Sequence, residues 1–500
     1  MHKARRSTAH AHRWWNEECA ALAAQLRNHL SLADADWEEG HRLAAELKRV
    51  TRRAKRTWAD HVVTTGDLWD VAGWRHGRRM SCIAALRKSD GDLTFDPTGM
   101  AELLADRFFT KDSGIIDARQ ADDPPPRQTR PFVPFTKDEF ERCLKKTKND
   151  SAPGFSGESW GILKLAWEHI SDHITALANA CLTLGHHPTI WRRALVVVIP
   201  KPGRDDYALP KNYRPISLLE CLSRLVEKAV SKRMLHDIDA YGLIWTTQFG
   251  TRAHSSTLDA GLSLVHDVQT AWRYGLKCGA LLFDIKGFFD NVHKDRLAAI
   301  LRNLGFPENL CSWTLSFLTD RQVQLTFNGE VTPEQSQPVG MPQGSPLSPV
   351  LSALYTSPLL ELIHRRGGTS LAMYVDDGLL CSVATDYATV SQRLQGTYVI
   401  CDEWLRRNNL SCEAAKTELI YFRGSRLNDP PTRLELFDTS AGRPFVIHPA
   451  ATIRYLGFFV NHKLDWSDHV DTMCNRARAS LKALQMLGVT DCPTERSGGR

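Results

Sequence analysis

The chain has 500 residues and a mass of 56.3 kDa, so two or more packed units are expected. Hydrophobic residues make up 42% and charged residues 24%, which excludes a mostly disordered chain, a collagen-like chain and a small disulfide scaffold. Lys and Arg exceed Asp and Glu by 63 to 57, a net charge of +6; any nucleic-acid footprint must therefore come from local clusters. Twelve cysteines lie far apart, Cys401 and Cys412 being the closest pair, and no CxxC occurs. That spacing argues against a zinc site and fits a reducing compartment. No apolar run approaches the roughly 18 residues of a membrane span, so no membrane partner is expected. The basic, acid-free start (MHKARRSTAHAHRWW) reads as a solvated arm in preference to a targeting segment.

Residues 14 to about 62 read as helix. Within them, 48–58 (KRVTRRAKRTW) holds six basic residues and no acid. Arg49, Arg52, Arg53 and Arg56 share one helical face. Such a stripe is either a solvated face or a track for a phosphate backbone with salt-sensitive binding. Trp58, Trp69 and Trp74, near Arg75, Arg78 and Arg79, read as core rather than as base-stacking platforms. A polar stretch, Asp117 to Pro134, contains Pro124-Pro125-Pro126; proline removes donors and fixes φ, so a linker and a domain boundary are expected there.

Thr136-Lys137-Asp138-Glu139 is a capping box opening a helix. Residues 194–199 (ALVVVI), 279–285 (GALLFDI) and 371–375 (LAMYV) are buried strands, and 218–235 carries helical apolar spacing. Val323, Leu325 and Phe327 alternate into Asn328-Gly329, a hairpin signal of type I′. Asp465 or Ser467 caps a later helix. Strands and helices mix without a regular βαβ period, which predicts an α+β fold.

Two acidic sites end apolar strands. Leu281-Leu282-Phe283 drives Asp284 out of one, and Tyr374-Val375-Asp376-Asp377-Gly378 lies between two apolar runs. Gly378 is expected to allow a tight turn, pairing LAMYV with GLLCS and placing both carboxylates at the tip. A lone Asp-Asp is usually an ordinary turn. Three carboxylates at the edge of a hydrophobic sheet instead suit a hard, oxygen-liking cation such as Mg²⁺, and two such ions suit phosphoryl transfer. Asp290 reads as structural and outside this set. Between the two sites lies Gly340-Met341-Pro342-Gln343-Gly344-Ser345-Pro346-Leu347-Ser348-Pro349, a fixed backbone preceding a helical run. Gly344 is expected to let the main chain approach a flat ligand such as a base pair.

FDIKGFFD, GMPQGSPLSP and YVDD, in this order, resemble a reverse transcriptase. IPKPGRDDYALPKNYRPISLLECLSRLVEK, QFGTRAHSSTLDA, NLSCEAAKTEL and IRYLGFFVNHKLDW resemble segments of non-LTR, LINE-like retrotransposon enzymes, and WWNEEC with the basic helix after it resembles their post-endonuclease linker. The resemblance covers most of residues 14–485. It implies a right-hand polymerase with an antiparallel palm sheet: a basic helical N-terminal extension (1–116), the Pro-rich linker (117–134), fingers (135–270), palm with primer grip (271–465) and a truncated thumb (466–500). It implies an enzyme that adds deoxynucleotides to a primer 3′-hydroxyl on an RNA template. Asp284, Asp376 and Asp377 would hold two Mg²⁺, assisted by the Ile285 carbonyl. Lys201 and Arg214 would grip the triphosphate. Phe289 would sit under the sugar and exclude a 2′-hydroxyl. Gln343 and Gly344 would pack on the nascent pair, Lys416 would be a general acid for pyrophosphate, and Tyr455-Leu456-Gly457 would start the primer-grip hairpin. In such an enzyme Arg49, Arg52, Arg53 and Arg56 would contact RNA.

The implied partners are an RNA template, a DNA primer and dNTPs, with no protein partner evident, in a nuclear or ribonucleoprotein setting. No endonuclease precedes and no RNase H follows the matched segments, so a fragment of a longer element is expected. A catalytically inactive RNA-binding remnant and an intron-maturase-like enzyme are the alternatives.

Overall fold

The computed structural model describes residues 15–30, 36–65, 85–109, 116–149, 151–252, 254–423, 431, 433–438 and 441–486. The expectations for the N-terminal arm and for Trp69, Trp74, Arg75, Arg78 and Arg79 lie outside these residues. The chain divides into two compact units, one drawn from 1–80 and 469–500, the other spanning 81–468.

In the first unit the expected single helix is two, Glu17–Leu30 and Trp37–Thr65. They pack on each other around Cys19, Val50 and Ala54. The longer helix has few apolar positions, and its polar face carries the arginine stripe.

The second unit holds two main sheets. One, with order β4-β3-β6-β7, is built from β3 (Arg193–Pro200), β4 (Tyr213–Leu218), β6 (Arg321–Phe327) and β7 (Glu330–Val331), with β8 (Gln335–Gln337) also on β6. A small hairpin, β1 (Leu86–Arg87) and β2 (Leu93–Thr94), precedes it in sequence. β3 and β6 are parallel, so residues far apart in sequence share a sheet. Helix Pro97–Phe108 packs Met100, Leu104 and Phe108 on this sheet against Val196, Val198, Tyr213 and Phe327. Asn328 (φ 51°) and Gly329 (φ 91°) both take the left-handed region the expected turn requires.

The other sheet has order β11-β5-β10-β9, all antiparallel: β5 (Lys277–Asp284), β9 (Thr369–Tyr374), β10 (Asp377–Ala384) and β11 (Glu418–Phe422). Leu281 and Phe283 face a core shared with helix Tyr387–Arg407; Cys278, Ala280 and Leu282 face helix Thr257–Arg273. Burial of both faces explains the unbroken apolar run before Asp284. Two further hairpins follow, β12 (Leu434–Asp438) with β13 (Arg443–Ile447), and β14 (Thr452–Tyr455) with β15 (Phe458–Asn461). The second of these covers Ala280 and Leu282 through Ile453, Tyr455 and Val460.

The proline-rich stretch 117–134 lies inside the second unit, not between units. The Arg127 and Arg130 amides donate to the Asn303 and Gly305 carbonyls at 2.8 and 2.9 Å. Asp123 forms a bidentate pair with Arg296, whose side chain is wholly buried. Proline's missing donors are tolerated because neighbouring residues make these bonds. The Thr136–Glu139 capping box forms as expected, and Asp465 accepts from the Ser467 amide at 3.0 Å where helix Ser467–Met486 begins.

Candidate active site

Antiparallel pairing places Asp377 directly opposite Asp284. Asp377 also faces Tyr374, leaving Val375 and Asp376 as a two-residue turn at the tip. The Ile285 amide donates to the Asp376 carbonyl at 3.0 Å, fixing the turn to the end of β5. The expected hairpin therefore forms, but the role assigned to its glycine is corrected. Val375, not Gly378, takes positive φ (61°). Such a conformation in a β-branched residue stores on the order of 1–3 kcal/mol of strain. Gly378 is required because it lies opposite Phe283, where a Cβ would meet the ring at 2.3 Å.

The electrostatics of the tip are those of a site short of positive charge. Burial, then the charge of Asp284, pushes the Asp376 carboxyl above its ordinary range. Loss of water, then Asp376 and Asp284, pushes Asp377 up to about 6. Neither carboxylate forms an ion pair among the described residues. Asp284 does: Lys416 Nζ donates to its Oδ2 at 2.7 Å and reaches Glu413 Oε2 at 3.0 Å. Burial opposes the Lys416 charge, yet these two carboxylates raise its pKa. The Glu413 amide donates to the Asp284 carbonyl at 2.8 Å, so the segment bearing Lys416 is tied to the same strand end.

The donors at the tip are all oxygen and two of three carboxylates lack a counter-charge, which fits a hard divalent cation. As the side chains stand, no three His, Cys, Asp or Glu among the described residues are gathered closely enough to hold a metal ion. Mutual repulsion and the Lys416 contact on Asp284 both work against such a gathering. Register and charge coupling nevertheless unite the three aspartates in one site.

Arg214 lies on β4 directly opposite Ile199, and Lys201 follows the end of β3 two residues beyond Ile199. Burial first, then Lys416, Arg214, Arg204 and Arg107, lowers the Lys201 pKa. Its Nζ donates to the Lys211 carbonyl at 2.8 Å. A group of cations thus lies together, and Lys416 and Arg214 within it also act on Asp376. Arg107, on helix Pro97–Phe108, belongs to it, and also acts on Asp290. Nothing in its local sequence distinguishes Arg107; only the packing of its helix does.

Phe288 is buried, and Phe289 is partly exposed beside it, ring centroids 5.9 Å apart. The Met341 amide donates to the Phe289 carbonyl at 2.6 Å. Gln343 Nε2 donates to Asp290 Oδ1 at 2.8 Å, and burial pushes Asp290 up to about 6. Gly344 lies against β4: a Cβ there would sit 2.3 Å from the Ser217 carbonyl oxygen. Tyr455, Leu456 and Gly457 form the tip of the β14–β15 hairpin rather than its start, with Leu456 at φ 47° and Gly457 at φ 95°. Tyr455 is buried and its hydroxyl has no hydrogen-bond partner among the described residues; burial, then Asp377, raises its pKa.

The arginine stripe in the first unit is partly engaged. Arg53 pairs with Glu18 of the neighbouring helix, and Arg49 with Glu46 at 3.3 Å. Arg52 is exposed, as is Arg56.

Residues 199–460 match the family model described as reverse transcriptase (RNA-dependent DNA polymerase). A probable RNA-directed DNA polymerase from transposon X-element of Drosophila melanogaster is 27% identical over 464 residues, covering 89% of this chain and 50% of that protein. The Pol polyprotein of the type-1 element R1 of Bradysia coprophila is 26% identical, covering 91% of this chain and 45% of its own length. That of the type-1 element R2 of Popillia japonica is 26% identical over 53% of this chain and 38% of its own. The chain thus spans about half the length of the curated relatives it matches, or less. With Asp284 and Asp377 on paired strands and Asp376 in the adjoining turn, all inside the matched segment, the chain belongs to the reverse transcriptase (RNA-dependent DNA polymerase) family, in its non-LTR retrotransposon lineage.

Proposed function

We propose that the chain is an RNA-directed DNA polymerase that extends a DNA primer on an RNA template. The observation that carries this reading is the in-register pair Asp284–Asp377 with Asp376 in the turn between strands. In this reading the β5–β9–β10–β11 sheet is the palm and the β3–β4–β6 sheet, with helix Pro97–Phe108, the fingers. The β14–β15 hairpin is the primer grip, and the helix from Ser467 begins the thumb. The stripe of Arg49, Arg52, Arg53 and Arg56 contacts RNA.

Asp284, Asp376, Asp377 and the Ile285 carbonyl would hold two Mg²⁺, which when bound supply charge stabilisation for the attacking and leaving oxygens. The chain's own groups do the rest. Lys201 and Arg214 bind the triphosphate; arginine's planar fork meets phosphate oxygens in pairs. Phe289 orients the sugar and closes the space a 2′-hydroxyl needs. Gln343 and Gly344 floor the nascent pair. The primer 3′-oxygen forms its bond to the α-phosphorus in line as the bond to pyrophosphate breaks, a reaction driven by positioning and electrostatics. Lys416 Nζ, held charged beside Asp284, stands as proton donor to the departing pyrophosphate.

The test is extension of oligo(dT) on poly(rA) with Mg²⁺ by the full chain and by Asp376→Asn. Extension by the parent and its loss in the variant support the polymerase. Retention of RNA without extension in both identifies an inactive RNA-binding remnant.

A further inference from the structure

Beneath the Gly340–Pro349 loop lies a buried polar cluster with no part in the scheme above. Glu227, on helix Cys221–Tyr241, is wholly buried. Its Oε1 accepts from Ser223 Oγ at 2.6 Å and its Oε2 from Ser345 Oγ at 2.5 Å. Ser345 Oγ itself accepts from the Leu347 amide at 3.0 Å. The turn that opens helix Ser348–Tyr355 therefore hangs on this carboxylate. Arg321, also wholly buried, donates through Nη1 to the Phe317 carbonyl at 3.1 Å, while its Nε and Nη2 have no hydrogen-bond partner among the described residues. Glu227 is the carboxylate that opposes its charge. Apolar residues of equal volume would stabilise a core as well as such buried charges do. What the carboxylate adds is a fixed height for the loop above it.

The upper side of the same loop meets the nucleotide residues. The Ser217 amide donates to the Gln343 carbonyl at 2.7 Å, joining the loop to the strand that carries Arg214. Met341 and Gln343 hold the Phe289 carbonyl and the Asp290 carboxyl from above. Gly344 lies so close to Ser217 that a vertical shift of the loop would carry β4 with it. The loop is thus a wedge, seated on Glu227 and bearing Phe289 and β4.

We propose that Glu227 is a positioning residue: acting through Ser345, it sets the height of the Gly340–Pro349 loop and so the seat of Phe289 that selects deoxynucleotides. This rests on the polymerase reading and on the sugar-facing role given to Phe289 there. Two full-length variants test it. In Glu227→Gln one of the two donating hydroxyls meets an amide N–H₂ instead of an acceptor. Ser345→Ala removes the link with minimal change of volume. Each is expected to raise KM for dTTP about tenfold on poly(rA)/oligo(dT) and to lower the preference for dTTP over UTP about tenfold, the scale expected for a sub-ångström misplacement. The double variant should be no worse than the more affected single one, because both break one chain of bonds. Partial unfolding lowers kcat for both nucleotides alike and moves neither KM nor the ratio. Parental KM and ratio in both variants, or additive losses in the double, would overturn the proposal; if Glu227→Gln fails to fold, Ser345→Ala decides it alone. Should the parent chain make no DNA, the polymerase reading falls instead. Amide hydrogen exchange then decides the loop: Glu227→Gln should speed exchange at Leu347 and Ser217 about tenfold while Leu281 is unchanged, and equal exchange at all three sinks it.

Discussion

Gly378→Ala is the most direct probe of how packing places the aspartates. The added Cβ would lie 2.3 Å from Phe283 Cζ and 2.6 Å from both Cε carbons. Phe283 is 2% exposed and set edge-on to Tyr398 at 6.3 Å, so its ring has little room to retreat. The overlap is on the order of 1 Å against ordinary contact, and overpacking of this kind costs about 1–3 kcal/mol. The strain falls one residue before Asp284 on β5 and one after Asp377 on β10. Separation of the two strands by even part of that distance misplaces both carboxylates, and a shift of about 1 Å can lower turnover about 100-fold. The assay pairs urea unfolding with poly(rA)/oligo(dT) extension. The expected result is a loss of about 1–3 kcal/mol with kcat reduced about 100-fold, and partial recovery of both on adding Phe283→Leu, which removes ring carbons from the clash. A Gly378→Ala chain as stable and as active as its parent would refute the reasoning.

Other expectations follow from single contacts. Gly344→Ala, at φ 145° with a Cβ 2.3 Å from the Ser217 carbonyl oxygen, should destabilise by about 2–3 kcal/mol and abolish extension, read by the same pair of assays. Asp123→Ala strands the buried Arg296 guanidinium and should cost about 3–5 kcal/mol by urea unfolding, with new proteolytic cleavage within 117–134. Burial raises the Glu139 carboxyl, but the paired bonds from Arg233 and the Thr136 amide outweigh it and hold it at about 2. A folded pKa below the unfolded one gives stability that is present above about 4.5 and lost as pH falls toward 2. Glu139→Gln should therefore lower stability by about 1–2 kcal/mol at pH 7 after solvent screening, and flatten the decline between those limits in a pH series of unfolding curves.

Much of the site was legible in sequence because its elements are written locally. An apolar strand buried on both faces reads as a continuous run, so the strand ending in Asp284 could be found without its partners. The Asn328-Gly329 turn and the Thr136–Glu139 cap depend on residues within a few positions of each other. The arrangements that use those elements are not local. β3 lies parallel to β6, whose sequence is remote, and no periodicity in either announces it. Gly378 looks like a turn glycine until Phe283 is seen opposite it, and nothing near Gly344 in sequence announces that Ser217 takes the space its missing Cβ leaves. The ion pair of Lys416 with Asp284, the Asp123–Arg296 tie across the proline stretch and the seat of Ser345 on Glu227 join residues far apart along the chain. Sequence by itself determined which side chains could do chemistry and which segments could be strands or helices, because propensity and burial pattern act over a few residues. Tertiary structure alone decided which of them meet and why each glycine must be a glycine, because those constraints exist only where two remote surfaces compete for the same space.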